Sequence, residues 1–310
     1  MIKKGSHLDG VEPINEKKID NCELIKILSF KAGNSKDSRY LKNIIINSDV
    51  YDKSGYSGNS VLICKGKNNN YVVKISKNGS LIDEFISYKY FYKLHLTSKP
   101  IKYFKNNEYE FLLSEYIDLP TAGFYFDSYQ EIADFFGKEL RKFHDMNLIQ
   151  NKFNEKEYNL FKNKYLLNYN RALENDVGLI YMTEYLNDVD IEKMKKYLIN
   201  NKEFLYKNEV LVHGDFNPNN VFIDNNMNIK IIDFCDAGIC NKHYDIFWTM
   251  FMLIIFSGIL KDKKKILECE KIFLNAYGID KINNEELLFF KYFACLYWKQ
   301  HDEITRINIL

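Results

Sequence analysis

Hydrophobic positions along this chain change their spacing near residue 120, and that change divides it. Between 44 and 117 short apolar runs at 61–64, 71–75, 101–104 and 109–117 are separated by polar turns at 67–70 and 105–108. Brief β-rich runs with turns between them predict antiparallel hairpins. One helix is expected among them at 80–94, where Leu81, Phe85, Tyr88 and Tyr92 share a face. Beyond Pro120 the spacing lengthens to that of amphipathic helices. Residues 129–147 carry Ile132, Phe135, Phe136, Leu140 and Phe143 on one stripe; two or three helices are expected in 156–201. Further helices are expected at 245–260, 263–277 and 284–300, with Gly278 as a C-cap. Before residue 44 the pattern offers a helix at 15–28, using Ile19, Leu24, Ile25 and Leu28, and a polar loop at 31–38. The expected division is a leader (1–43), a sheet with one helix (44–117) and a helical region (118–310) in an α+β protein.

Composition narrows the class. The 310 residues are 46% hydrophobic and 15% aromatic, enough for packed cores and far from disorder. A net charge of +1 with interspersed signs gives no nucleic-acid, membrane or protein partner a handle. The six cysteines show no CxxC spacing and read as reduced, mostly buried thiols of a cytoplasmic protein. Residues 1–18 lack the apolar stretch of a signal peptide, and the apolar run 247–260 is too short to span a bilayer. That run reads as a buried helix.

The chemistry concentrates in residues 211–245. An apolar strand ends in His213-Gly214-Asp215, Asn220 follows five residues later, and the run 229–232 delivers Asp233-Phe234. Phosphoryl transfer needs a carboxylate to aim the accepting hydroxyl and oxygen ligands to hold Mg²⁺ on the phosphates. Protein kinases space their catalytic Asp and metal-binding Asn by the same five residues, with a second metal-binding Asp on the next hairpin. Here Gly214 stands where those kinases carry an Arg that reads a phosphorylated loop, so the target expected is a small molecule. Upstream, Lys74 sits in the run Val72-Val73-Lys74-Ile75, where an unpaired charge is costly. It is expected to contact the α- and β-phosphates and to pair with Glu84, or Asp83, of the following helix. The hairpin at 55–60, with Ser57, has residues small enough for backbone N–H groups to approach phosphates.

These motifs resemble the aminoglycoside phosphotransferases and related small-molecule kinases, whose signature is His-Gly-Asp-x-x-x-x-Asn, Ile-Asp-Phe and a further Asp, here Asp245. The resemblance runs from about Gly55 to Trp298, and is nearest to the kinases of the aminoglycoside 3′-hydroxyl. It implies a bilobal protein-kinase-like fold, with a small antiparallel β N-lobe and a larger, mostly helical C-lobe. It also implies ATP or GTP as donor and Mg²⁺ as cofactor. Asp215 would be catalytic, Asn220 and Asp233 metal ligands, and backbone groups of Ser114 and Tyr116 the adenine contacts at the hinge. His144 resembles a structural histidine of the family. Asp245 is expected to cap its helix and brace the catalytic segment.

In the aminoglycoside kinases an acidic insert and acidic residues at the end of the last helix bind the cationic sugar. Glu184 and Asp188 occupy the insert region here. At the end of the last helix Phe293-Ala294-Cys295-Leu296-Tyr297-Trp298 carries no acid, and Asp302 and Glu303 follow as the candidate replacements. A solvated helix face accounts for the insert acids equally well. Three functions are therefore carried forward: an aminoglycoside kinase; a metabolic kinase for choline, ethanolamine or an amino sugar, with Tyr297 and Trp298 as a cation–π wall; and a nucleotide-binding regulator without turnover. The intact set Lys74, Asp215, Asn220 and Asp233 argues against the last.

Overall fold

The computed structural model describes residues 17–20, 22, 24–25, 35–53, 59–77, 81–106, 108–146, 154–174, 190–279 and 284–302, the last five as backbone alone. They form two compact units. One comprises the described residues of Glu12–Leu119 together with Ile229–Cys235; the other comprises Pro120–Asn228 and Asp236–Asp302.

Alternation builds the first unit. Strands β1 (Lys17–Lys18), β2 (Ser48–Asp52), β3 (Ser60–Gly66), β4 (Asn70–Ser76), β5 (Pro100–Lys105) and β6 (Glu110–Glu115) form an antiparallel sheet in the order β1-β2-β3-β4-β6-β5. Because side chains alternate between faces, Leu62, Cys64, Val73, Ile75, Phe111 and Leu113 point together into one core. Helix α1 (Lys36–Ile46) closes that core with Leu41, Ile44 and Ile45. Lys74, between Val73 and Ile75, must then point to the opposite face. In register it lies across from Val61 and Leu112. Helix α2 (Leu81–Lys93) packs against β5 and β6 and buries Leu81, Glu84, Ser87, Tyr88 and Phe91.

Several expectations change here. Residues 31–38 were expected as loop through Ser38, but Ser35 accepts from the Ser38 N–H and caps α1. Ile44 and Ile45, expected to open the sheet, are the core face of that helix. Of the helix expected at 15–28, Lys17–Lys18 is instead a strand paired with Tyr51 and Asp52, while Leu24 is helical. Ile19 and Leu24 nevertheless reach the sheet core. The described residues between 17 and 43 thus belong to the sheet unit. In α2 the inward face is set by Tyr88 and Phe91; Tyr92 is exposed.

The second unit is helical around α6 (His243–Phe256), which is apolar on every side and buried almost throughout. Helices α3 (Tyr129–Met146), α4 (Glu155–Glu174) and α5 (Ile191–Asn200) precede it; α7 (Lys263–Tyr277) and α8 (Asn284–Asp302) follow. Helix α3 crosses α7 closely at Gly137: a Cβ there would lie 2.4 Å from the Phe273 carbonyl oxygen. Gly278 ends α7 in the left-handed region, φ 83°, as the C-cap expected. Helix α6 starts two residues before Asp245, with Lys242 at the N-cap and no side-chain cap, so the capping role expected of Asp245 is not used. Strand β7 (Glu209–Val212) pairs antiparallel with β10 (Gly238–Asn241) and ends against the 213–215 loop. Strand β8 (Val221–Ile223) leads to a turn in which Asp224 accepts from the N–H groups of Asn226 and Asn228, and β9 (Ile229–Ile231) beyond it belongs to the first unit. No helix of the described residues is long and apolar enough to cross a membrane.

Candidate active site

The candidate residues gather in two groups, one in each unit. In the sheet unit Lys74 Nζ donates to Glu84 Oε1 at 2.7 Å and to Asp233 Oδ1 at 2.6 Å. Glu84 is fully buried and Lys74 is 11% exposed. Burial pulls the lysine pKa down, but the Asp233 and Glu84 carboxylates outweigh it and hold the ammonium well above its ordinary value. Lys74 is thus a fixed positive charge. Asp233 itself has φ 63°, unusual for a residue with a Cβ, and its side chain is 26% exposed. Such backbone strain persists only where surroundings over-determine it. Those surroundings are visible: Phe234 stacks on Phe91 at 4.6 Å and meets Tyr88 edge-on at 5.0 Å, while Ile231 bonds Thr97 and Leu96 through its carbonyl and N–H. Of the expected adenine contacts, Ser114 pairs with Val72 within the sheet and the Tyr116 N–H is donated to the Asn70 carbonyl. That N–H is therefore already used inside the sheet unit. Ser57 lies outside the described residues.

In the helical unit β7 ends on the loop that carries His213, Gly214 and Asp215. The fully buried Asp245 accepts from both preceding amides, His213 N–H at 2.7 Å and Gly214 N–H at 2.8 Å. His144 contacts the same carboxylate at 3.2 Å and the Tyr277 hydroxyl at 2.7 Å, a buried structural role. The bracing part of the expectation for Asp245 is thus visible. Gly214 has φ 87°, and a Cβ there would fall 2.5 Å from the Asp236 carbonyl oxygen. Only glycine fits.

Three donors converge on the Asp215 carboxylate. Asn217 Nδ2 reaches Oδ1 at 2.7 Å, Trp248 Nε1 reaches Oδ1 at 2.8 Å, and Asn220 Nδ2 reaches Oδ2 at 2.8 Å. Asn220 Nδ2 also bonds the Asp215 carbonyl at 3.0 Å, which fixes the orientation of its amide. Asn220 and Asp233 offer oxygen only, the donor type that Mg²⁺ takes. No cluster of three or more His, Cys, Asp or Glu side chains suited to a metal occurs among the described residues.

Asn217 and Trp248 were not among the candidates read from sequence. Asn217 follows Asp215 by two residues in an Asn-rich loop and signals an Asx-type turn; its own Oδ1 accepts from the Asn219 N–H. Trp248, within an apolar helix, looks like core; its signal is only that a buried indole N–H needs an acceptor. Of the substrate-binding candidates, Glu184, Asp188 and Glu303 lie outside the described residues, and Asp302 is described by its helical backbone alone. Tyr297 is nearly buried, with its hydroxyl 3.5 Å from the Asp236 carboxylate.

Comparison with known proteins adds to this geometry. A family model described as the phosphotransferase enzyme family matches residues 51–260. The probable aminoglycoside 3′-phosphotransferase of Lactococcus lactis subsp. lactis strain IL1403 is 28% identical over 250 residues, 80% of this chain and 90% of that protein. An aminoglycoside phosphotransferase structure from Streptomyces rimosus aligns with a TM-score of 0.61 at 14% identity, covering 89% of this chain and 99% of its own. The ethanolamine kinase of Plasmodium vivax aligns with a TM-score of 0.58 at 16% identity, covering 94% of this chain and 91% of its own. At such identities the likeness is one of fold, the α+β kinase-like fold expected from the motifs.

Proposed function

The chain belongs to the phosphotransferase enzyme family, and from that premise we propose that it moves the γ-phosphoryl group of ATP to a hydroxyl of an aminoglycoside. The observation that carries this reading is the Asp215 carboxylate held by donors on both oxygens. A carboxylate so fixed serves to accept a hydrogen bond from a hydroxyl and aim it in line with phosphorus. Lys74, with its charge secured by Glu84 and Asp233, binds the α- and β-phosphates, and Ser57 is a further candidate phosphate contact. Backbone groups at Ser114 and Tyr116 meet the base. Asn220 and Asp233 are the candidate ligands of Mg²⁺, which supplies charge to offset that developing on the phosphoryl oxygens. Glu184, Asp188, Asp302 and Glu303 are the candidate contacts for the acceptor's ammonium groups.

Aminoglycosides are favoured by the relative from Lactococcus lactis, named for that activity and matched over most of its length. A kinase for choline, ethanolamine or an amino sugar is the second reading. Tyr297, the ring expected to face its cationic head group, is nearly buried and turns its hydroxyl toward Asp236, which argues against that wall.

Purified protein with Mg²⁺-ATP is assayed for transfer to kanamycin, neomycin, choline, ethanolamine and glucosamine. Asp215→Ala is expected to lower the stimulated rate by about a hundredfold or more while leaving nucleotide affinity in place. A full rate in that variant would sink the assignment. Stimulation by choline or ethanolamine alone would establish the second reading instead.

A further inference from the structure

Asp245 and Trp248 stand three residues apart on α6, so one face of that buried helix presents both to the 213–215 loop. Their targets differ. Asp245 takes the two backbone N–H groups that precede Asp215, whereas Trp248 donates to the Asp215 side chain itself. We propose that Trp248 is a positioning residue for phosphoryl transfer, its indole N–H fixing the plane of the Asp215 carboxylate so that Oδ2 meets the acceptor hydroxyl. This rests on the reading of Asp215 given above.

The reasoning starts from the freedom a carboxylate has. The terminal torsion of an aspartate is broad and nearly two-fold, so an unrestrained Asp215 exchanges its oxygens. Asn217 and Asn220 restrain it, but both belong to the same short loop and travel with it. Trp248 comes from a buried helix, is 4% exposed, and ties the carboxylate side chain to an element outside the loop. With Asn217 it places two donors on Oδ1, while Oδ2 takes the single amide donor of Asn220 and is the oxygen assigned to the hydroxyl. Chemistry fits the position too: an indole N–H donates and never accepts, so it holds the carboxylate without competing for the hydroxyl proton.

The test combines a spectroscopic and a kinetic readout. The chain has two tryptophans, so ¹⁵N labelling gives two indole N–H signals, and Trp248→Phe assigns one by its loss. Asp215→Asn should move the Trp248 signal and leave the other in place. For the kinetics, the full-length enzyme is assayed for transfer from Mg²⁺-ATP to kanamycin, or to water where the drug is not accepted. Removing one hydrogen bond to a charged group should lower kcat of Trp248→Phe by about ten- to a hundredfold. KM for Mg²⁺-ATP and for kanamycin should stay within about twofold, since only alignment is lost. A folded Trp248→Phe enzyme with the parent kcat, while Asp215→Ala is inactive, overturns the proposal and leaves the phosphotransfer reading standing. If neither indole signal moves in Asp215→Asn, the proposal is overturned even where Trp248→Phe fails to fold. Full activity in Asp215→Ala overturns both, which separates failure of the underlying reading from failure of Trp248 alone.

Discussion

Lys74 was legible as a paired residue because a charge inside a β-branched run has few stable fates. Its first partner, Glu84, followed from the face of the next helix. The second, Asp233, did not: a contact spanning 159 residues leaves no local pattern. Trp248 and Asn217 escaped for a related reason, since each serves by where a single N–H points, and residue type alone does not fix that direction. The pairing carries a stability prediction. Lys74→Met leaves Glu84 buried with no compensating cation, and an uncompensated buried charge costs about 3–5 kcal/mol. Urea unfolding of Lys74→Met should show a loss of that order, and Lys74→Met with Glu84→Leu should recover much of it. A single variant within about 1 kcal/mol of the parent would mean that the pair holds the nucleotide site in shape but adds little to the fold.

At the scale of elements, long helices with clean stripes were readable almost to their ends: α3, α7 and α8 lie where the 3.6-residue pattern put them. Helix α1 was not, because Lys36, Asp37, Ser38 and Arg39 begin it with an entirely polar turn and its cap residue looks like loop. The junction of β10, α6 and α8 was equally invisible, being held by polar groups far apart in sequence. His243 Nδ1 lies 2.9 Å from Asn241 Oδ1 and 3.1 Å from Glu286 Oε2, and Lys207 binds the other Glu286 oxygen at 2.6 Å. Burial pushes the His243 pKa down from 6.5 to about 4, and the Glu286 carboxylate does not offset it. Burial pushes Glu286 upward, but hydrogen bonds from Lys207 and Asn241 outweigh it and leave the carboxyl below its ordinary 4.5. Both signs point the same way. Below pH 6.5 the unfolded chain takes up a proton that folded His243 refuses, so stability falls from there toward about pH 4. Glu286 adds to the loss only below 4.5. Thermal melts between pH 7 and pH 4.5 should therefore show a decline that His243→Gln flattens, worth on the order of 2 kcal/mol. Parallel curves for the two proteins would place the acid sensitivity elsewhere.

The whole molecule is threaded in a way that a boundary drawn along the sequence misses. Residues 229–235 belong to the sheet unit although the chain on both sides of them belongs to the helical unit. Within the sheet unit Phe234 covers Phe91 and Tyr88, and Ile231 bonds Leu96 and Thr97. A fragment ending at Leu119 therefore lacks both a plug for its aromatic surface and the Asp233 carboxylate on Lys74. It is expected to show strand-like far-UV circular dichroism without a cooperative melt, and to bind a dye for exposed apolar surface. A sharp transition in that fragment would show that the inserted strand is dispensable for folding. Gly214 has a consequence of another kind. The arginine that lets protein kinases read a phosphorylated loop would, at this position, have to enter space held by the backbone of Asp236. No single codon change from this sequence reaches a switchable kinase by that route. The Asp236 segment would have to be rebuilt first and the arginine acquired second, an order of events that selection on the arginine alone cannot supply.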